Sequence, residues 1–210
     1  MKKVYVVGVD WCNITSFLKF PIKIIQDISQ ADIVMFTGGA DINPKLYGEK
    51  AISQTYYSDT RDQIELQAFK DCPDTALKIG GCRGAQLLTA LSGGRLIQHV
   101  TGHSGGTHLI TDSDTNQEFI ITSCHHQMMY PYDMPSDQYK LLAWSTTNRS
   151  TYYLTEKGAL NIDKSFKEPE IVYYSGTNSF CIQGHPEWMS KESSTIEYIN
   201  NLIKCYLKTY

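Results

Sequence analysis

The sequence has no long hydrophobic run and no concentration of charge of one sign. None of its 210 residues belongs to a stretch approaching the roughly 18 consecutive apolar residues that a membrane-spanning helix needs. No run of five like charges occurs, and the formal net charge is only −3, which argues against a surface that coats nucleic acid. We therefore expect a protein that has neither nucleic acid nor a membrane as its partner.

The six cysteines include no C-x-x-C pair, which is the spacing typical of zinc ribbons and thiol redox centres. The apolar run VYVVGV at residues 4–9 is too short for the hydrophobic region of a secretory signal. We therefore expect a cytoplasmic protein with free thiols rather than three disulfides. The length and the 41% hydrophobic content suit one domain over residues 1–210.

The first half of the chain alternates between strand-like and helix-like segments, which predicts an α/β fold with a parallel core. Strands are expected at residues 3–9, 22–25, 32–36 and 76–79, and residues 10–20 leave little room for a first helix. After residue 94 the pattern changes to short strands separated by polar turns, including a hairpin around residues 176–178, and residues 191–208 are expected to form a helix. Two capping pairs are predicted, Thr60 with Gln63 and Ser194 with Glu197.

Residues 79–88, with the sequence IGGCRGAQLL, contain the most informative pattern. An apolar strand meets a glycine-rich turn around Cys82, and a helix-like run follows. A nucleophile flanked by small residues at a strand-to-helix junction describes a nucleophile elbow. Glycines allow the tight turn, and the positive end of the following helix favours a thiolate. Cys82 is therefore predicted to be a catalytic nucleophile.

A cysteine nucleophile needs a base and a group that orients this base. Among the six histidines, His185 follows the strand-like segment SFCIQG and stands two residues before Glu187. The carboxyl ends of parallel strands share one edge of a sheet, so His185 can lie beside Cys82. The sequence therefore predicts a catalytic triad of Cys82, His185 and Glu187.

Four blocks of the sequence resemble the class I glutamine amidotransferases of the peptidase C26 family, and most of all the gamma-glutamyl-GABA hydrolases. They are FTGGADINPKLYGE at residues 36–49, RDQIE at 61–65, GGCRGAQLLTALSGGRLIQ at 80–98, and the pair SCHHQ at 123–127 and QGHPEW at 183–188. The resemblance implies a flavodoxin-like three-layer sandwich, with a central mostly parallel sheet and a small antiparallel extension. It also implies hydrolysis of a gamma-glutamyl amide through a cysteine thioester, with no cofactor.

The same resemblance implies roles for the neighbours of the predicted triad. The backbone N–H groups of Gly39 and Arg83 would hold the oxyanion of the reaction. The positions that match substrate-contacting residues are Gln86, His125, His126 and Gln127. The mechanism needs only the backbone of Arg83, and its side chain is expected to pair with one of the nearby carboxylates, Asp41, Asp59 or Glu65.

Three histidines and two cysteines invite other interpretations. His99, His103 and His108 are close in sequence but lack a cysteine or carboxylate at zinc-site spacing, so we expect no metal. Cys124 and Cys181 lie in strand-like stretches and are expected to be buried structural thiols.

Two candidate functions use the predicted chemistry, and a third does not. The first is a hydrolase, monomeric or homodimeric, that releases glutamate from glutamine or a small gamma-glutamyl amine. The second is the glutaminase subunit of an amidotransferase that delivers ammonia to a separate synthase. The third is a non-catalytic binding or regulatory module on the same fold. The sequence leaves open the amine, the partner and the pathway.

Overall fold

A computed structural model describes residues 1–10 and 12–207 of the chain. Fourteen strands occur in the described part: β1 Lys2–Val7, β2 Ile22–Ile24, β3 Ile33–Phe36, β4 Leu77–Gly81, β5 Arg95–Ile97, β6 His99–Val100, β7 Thr107–Asp112, β8 Glu118–Thr122, β9 Met128–Tyr130, β10 Tyr139–Ser145, β11 Tyr153–Thr155, β12 Gly158–Ala159, β13 Pro169–Tyr174 and β14 Ser179–Ile182. The α-helices of the same residues are α1 Asp59–Asp71, α2 Arg83–Leu91 and α3 Ser194–Tyr206. Short 3-10 helices span Ile14–Phe17, Ile28–Gln30, Pro44–Tyr47 and Pro186–Trp188.

Nine of the strands form one sheet in the order β2-β1-β3-β4-β14-β13-β10-β7-β8. The pairings from β2 to β14 are parallel, and those from β14 to β8 are antiparallel. The hairpin expected around residues 176–178 joins β13 to β14. The predicted α/β fold with a central sheet and an antiparallel extension is confirmed, and the extension contributes four strands.

Helices cover both faces of this sheet, which gives three layers. On one face, α3 buries Ile196, Ile199 and Ile203 completely, and the 3-10 helix Ile14–Phe17 packs into the same cluster. This short helix occupies the segment in which the sequence left little room for a full one. On the other face, α1 and α2 join a second apolar cluster that includes side chains of β1, β3, β13 and β14. Every helix in the described residues is too short or too polar to traverse a lipid bilayer.

The predicted helix caps were wrong by one or two residues. Ser58, rather than Thr60, caps α1, and Ser193, rather than Ser194, caps α3. Each serine hydroxyl accepts a hydrogen bond from the backbone N–H three residues further on. A cap needs an extended backbone before the first helical turn, and both Ser58 and Ser193 have it.

Candidate active site

Cys82 occupies a strained turn between β4 and α2. Its φ of 49° and ψ of −110° lie outside the regions that non-glycine residues prefer. Two glycines allow the close approach of backbone around it: a Cβ on Gly84 would lie 2.1 Å from the carbonyl oxygen of Phe36, and one on Gly80 would lie 2.4 Å from the carbonyl carbon of Gly84. The turn therefore has the geometry of a nucleophile elbow, and the Cys82 side chain faces the carboxyl edge of the sheet.

His185 reaches Cys82 because β14 is the parallel neighbour of β4. Ile182 at the end of β14 pairs with Gly81 at the end of β4, so the residues after both strands emerge together. The Cys82 and His185 side chains lie beside each other, close enough for Cys82 to raise the pKa of His185. The Cys82 thiol donates to the backbone oxygen of Cys124 at 3.9 Å. The Nδ1–H of His185 donates to Oε1 of Glu187 at 2.8 Å. The tertiary structure thus brings together the three side chains that were predicted as a triad.

The surroundings of His185 favour a protonated imidazole. Burial alone would lower the pKa of His185, but its interactions with Cys82 and Glu187 outweigh burial and raise the pKa to about 10. The ring also stacks on the half-exposed Trp188, with centroids 3.7 Å apart and planes at 2°. An indole face attracts a cation, so this contact favours the same protonation state.

Two backbone N–H groups beside Cys82 have no protein acceptor among the described residues. One belongs to Arg83, the first residue of α2, where the N–H cannot join the helical hydrogen-bond pattern. The other belongs to Gly39, in the loop after β3. The preceding residue, Gly38, is close to both side chains of the pair, since a Cβ there would lie 3.2 Å from Cε1 of His185 and 3.7 Å from Cβ of Cys82. The predicted oxyanion donors are thus available next to the thiol.

A cleft of about 200 Å³ opens beside the thiol. Its lining consists of Gly39, Ala40, Asp41, Tyr56, Cys82, Gln86, Cys124, His125, His126 and Gln127. All four residues predicted to contact substrate are therefore in the cleft wall. Two of their side chains converge on one carbonyl: Nε2 of Gln86 donates to the backbone oxygen of Gln127 at 3.1 Å, and Nδ1–H of His125 donates to it at 2.8 Å.

The two adjacent histidines of this wall point in different directions. His125 is buried and stacks on His103, with centroids 4.6 Å apart, and burial lowers its pKa well below the usual value. His126 is partly exposed, and its Nε2 lies 3.0 Å from Oδ1 of Asp41. That hydrogen bond raises the pKa of His126. His126 is therefore the histidine of the pair that can present charge to a ligand.

The expected burial of Cys124 was wrong. Cys124 lies in the loop after β8, is exposed and lines the cleft with Cys82. The structure has no strand at residues 123–127, so no sheet neighbour covers this side chain. Cys181, inside β14, is fully buried as expected, and burial raises the pKa of its thiol.

A buried ion network behind the elbow was only partly foreseen. The guanidinium of Arg83 is 1% exposed; its Nη1 donates to Glu65, and its Nη2 donates to Oδ1 of Asp62 at 2.5 Å. Glu65 was one of the three predicted partners, whereas Asp41 and Asp59 bind elsewhere, to Tyr56 and Asn43. Asp62 was missed, although its position three residues before Glu65 on α1 places both carboxylates on one helix face.

Two glutamates missed by sequence reasoning surround two of the three clustered histidines. Glu168 immediately precedes β13, and Glu170 is the second residue of that strand. Glu168 accepts a hydrogen bond from Nε2 of His103 at 3.1 Å, and Glu170 accepts one from Nε2 of His108 at 2.8 Å. Ligand atoms of His103, His108 and Glu170 lie within 4.8 Å of one another, a grouping able to hold a metal ion. His99 is not part of it. The expectation of no metal stays a prediction.

The family follows from a comparison with known sequences. The sequence model of the peptidase C26 family matches residues 17–130, which is more than half of the chain. The chain belongs to the peptidase C26 family. This confirms the resemblance to class I glutamine amidotransferases at the level of the family.

One curated relative is the putative glutamine amidotransferase-like protein YvdE of Lactococcus lactis subsp. lactis. It is 31% identical to this chain over 123 residues, and the match covers 49% of this chain and 52% of that protein. The carbamoyl phosphate synthase small chain of Salmonella typhi is 28% identical over 123 residues, 58% of this chain and 27% of that protein. The chain thus spans about half the length of the first relative and about a quarter of the second.

Solved structures share the fold over nearly the whole chain. A protein described as a GMP synthase subunit of Thermoplasma acidophilum superimposes with a TM-score of 0.62 at 17% identity, covering 99% of this chain and 92% of that one. A glutamine amidotransferase from Thermotoga maritima gives a TM-score of 0.56 at 12% identity, covering 98% and 94%. Identities this low show the fold alone.

Proposed function

We propose that this protein hydrolyses the gamma-glutamyl amide bond of glutamine or of a gamma-glutamyl amine, and that it acts as a single domain. The observation that carries the proposal is the placement of His185 beside Cys82 at the elbow, with Glu187 hydrogen-bonded to the far side of the imidazole. A thiol in a strained turn at a helix N-terminus, joined to an imidazole with a carboxylate behind it, is the arrangement of cysteine acyl transfer.

In the first step, the sulfur of Cys82 attacks the gamma-carbonyl carbon, and the thiol proton resides on His185. The C–S bond forms, and the carbonyl oxygen takes up the negative charge opposite the N–H groups of Gly39 and Arg83. His185 then gives its proton to the amine nitrogen, the C–N bond breaks, and a thioester of the glutamyl group remains. Glu187 holds the ring so that Nε2 faces the sulfur and the leaving nitrogen.

In the second step, a water molecule replaces the departed amine. His185 takes a proton from the water, the hydroxide oxygen attacks the thioester carbon, and collapse of the second oxyanion breaks the C–S bond. Glutamate leaves, and Cys82 regains its starting state. The same two N–H groups serve both steps, because each passes through an oxyanion at one position.

The wall of the cleft suits the amino-acid end of a gamma-glutamyl substrate. Asp41 and His126, which are paired with each other, place a carboxylate and an imidazole of raised pKa in the cleft wall, where the carboxylate suits the α-ammonium group and the cationic ring suits the α-carboxylate. Gln86 and the backbone of Gln127 complete the polar wall. The amine suggested by the sequence resemblance, gamma-aminobutyrate, is the first leaving group to test.

A second candidate is a glutaminase subunit that supplies ammonia to a separate synthase. The name of one relative, carbamoyl phosphate synthase small chain, favours it. Measuring hydrolysis of glutamine and of gamma-glutamyl amines, with and without co-purified proteins, separates the two candidates. A rate with free glutamine that exceeds the others and rises with a partner would replace the hydrolase by the glutaminase.

The test of the chemistry is covalent trapping. A chloromethyl ketone analogue of glutamine should add to Cys82, and mass spectrometry of the digested protein should find the mass increase on that residue. The exposed Cys124 in the same cleft provides a matched control. We expect Cys82→Ser to abolish both labelling and hydrolysis, and Cys124→Ser to preserve both. Hydrolysis that survives in Cys82→Ser would overturn the mechanism, and a cellular role that survives it would favour the non-catalytic module.

A further inference from the structure

Arg61 of α1 lies against the loop that carries Gly39. Its Nη2 donates to the carbonyl oxygen of Gly38 at 2.8 Å and to Oγ1 of Thr37 at 3.1 Å. Its Nε donates to Oε1 of Glu65 at 2.8 Å. The guanidinium therefore ties the loop after β3 to a buried carboxylate of α1.

The bond to Gly38 acts on the orientation of one peptide unit. The carbonyl of Gly38 and the N–H of Gly39 belong to the same planar trans peptide, in which the two groups point in opposite directions. A donor that holds the carbonyl on the α1 side therefore turns the N–H to the other side. Gly39 lines the cleft, and its N–H is without an acceptor in the described part of the chain.

This peptide would be free to rotate if nothing held it. It joins two glycines, and Gly39 has a φ of +144°, a conformation that side chains rarely adopt. The guanidinium also takes the space where a side chain would be: a Cβ on Gly39 would lie 2.1 Å from Nη1 of Arg61. The lack of a side chain makes the loop pliable and at the same time lets Arg61 reach the carbonyl.

The same carboxylate links both predicted oxyanion donors. Glu65 accepts from Arg61 through Oε1 and from Arg83 through Oε2. Arg83 is the residue whose own N–H is the second donor. The loop of Gly39 and the start of α2 are therefore fixed relative to each other by a single buried side chain.

We propose that Arg61 is a positioning residue that holds the Gly38–Gly39 peptide with its N–H facing the reacting carbonyl. Arg61 does not line the cleft beside the thiol, and it acts by keeping one of the two oxyanion donors in place. The inference rests on the proposed gamma-glutamyl amide hydrolysis, because only a reaction with an oxyanion needs this N–H.

The test compares Arg61→Met, Arg61→Lys and, as a control on the same helix, Lys70→Met, whose side chain is exposed. Hydrolysis of gamma-glutamyl p-nitroanilide and of glutamine gives kcat and KM. Alkylation of Cys82 by iodoacetamide gives the reactivity of the thiol in a displacement at an sp³ carbon, which forms no oxyanion. A thermal melt of each variant measures stability.

We expect Arg61→Met to lower kcat by about 10²–10³-fold, the loss typical of one oxyanion donor, with KM within about threefold. The alkylation rate should stay within about twofold of the wild type. Arg61→Lys should recover part of kcat, because an ammonium can reach Gly38 but cannot span Glu65 and the loop as a planar fork does. Lys70→Met should behave as the wild type does.

Two results would overturn the inference while leaving the proposed function intact. The first is an Arg61→Met variant that is as active as an active wild type. The second is an alkylation rate that falls in parallel with kcat, which would indicate a general collapse of the site. A wild type that hydrolyses no gamma-glutamyl amide would instead remove the proposed function, and this inference with it.

Discussion

Removal of the Glu65 carboxylate tests how much the buried network contributes to the fold. The side chains of Glu65, Arg83 and Asp62 are 2%, 1% and 5% exposed, so water screens their charges little. In Glu65→Ala, Arg83 keeps Asp62 but loses its other carboxylate. Breaking a buried pair while one charge stays behind costs about 3–5 kcal/mol of unfolding free energy. For a chain of this size, the cost lowers Tm by roughly 6–20 °C, at about 2–4 °C per kcal/mol.

Urea titrations and thermal melts followed by circular dichroism measure this loss. The control is Asp71→Ala, an exposed carboxylate of the same helix, which should change the free energy of unfolding by no more than about 0.5 kcal/mol. A double-mutant cycle of Glu65→Ala with Arg83→Met should give a coupling energy of about 0.5–3 kcal/mol. A cost below about 1 kcal/mol, or a coupling of zero within error, would refute the reasoning.

Two further predictions concern the triad and the elbow. Glu187→Gln removes a charge that raises the pKa of His185. The alkaline limb of the pH–rate profile, expected near pH 10 in the wild type, should therefore move to lower pH by about one unit or more. A limb at the same pH in both proteins would show that another group sets it. Gly84→Ala places a Cβ 2.1 Å from the backbone oxygen of Phe36, which cannot rotate away, and a urea titration should show that it lowers the free energy of unfolding by at least about 1–3 kcal/mol. The control Gly105→Ala has open space around the new Cβ and should be tolerated. Equal stabilities of the two variants would contradict the packing argument.

The pKa of His185 also predicts how stability depends on pH. Its folded pKa of about 10 lies above the ordinary value of 6.5, so the contribution of the protonated ring is complete below about pH 6.5 and is lost as the pH rises through about 10. Melts of the wild type between these limits should show a falling Tm, with a smaller fall in Glu187→Gln.

Much of the fold was predictable because its signals are local. The glycine pattern around Cys82, the apolar runs that became β3 and β4, and the hairpin before Ser179 each depend on a few neighbouring residues. The caps were less predictable because Ser58, Thr60 and their neighbours all carry side chains that can cap, and only the path of the entering backbone chooses among them.

The contacts around the site were less predictable because they join distant segments. Glu65 was one of three carboxylates predicted to pair with Arg83, and Asp62 was not among them. Cys124 was predicted in a strand-like stretch, where the chain instead forms an exposed loop. Loop exposure depends on which elements cover the loop, and a single local pattern holds no information about them.

The sequence by itself determined the chemistry that this protein offers: a thiol in a glycine-rich turn, and an imidazole followed two residues later by a carboxylate. The tertiary structure decided that these groups meet. Parallel pairing of β4 with β14 places Ile182 beside Gly81 and so brings together residues about a hundred positions apart. It also placed Arg61 against the Gly38–Gly39 peptide. Hydrogen bonds of this kind depend on the packing of α1 against the sheet, which arises only when the whole core assembles.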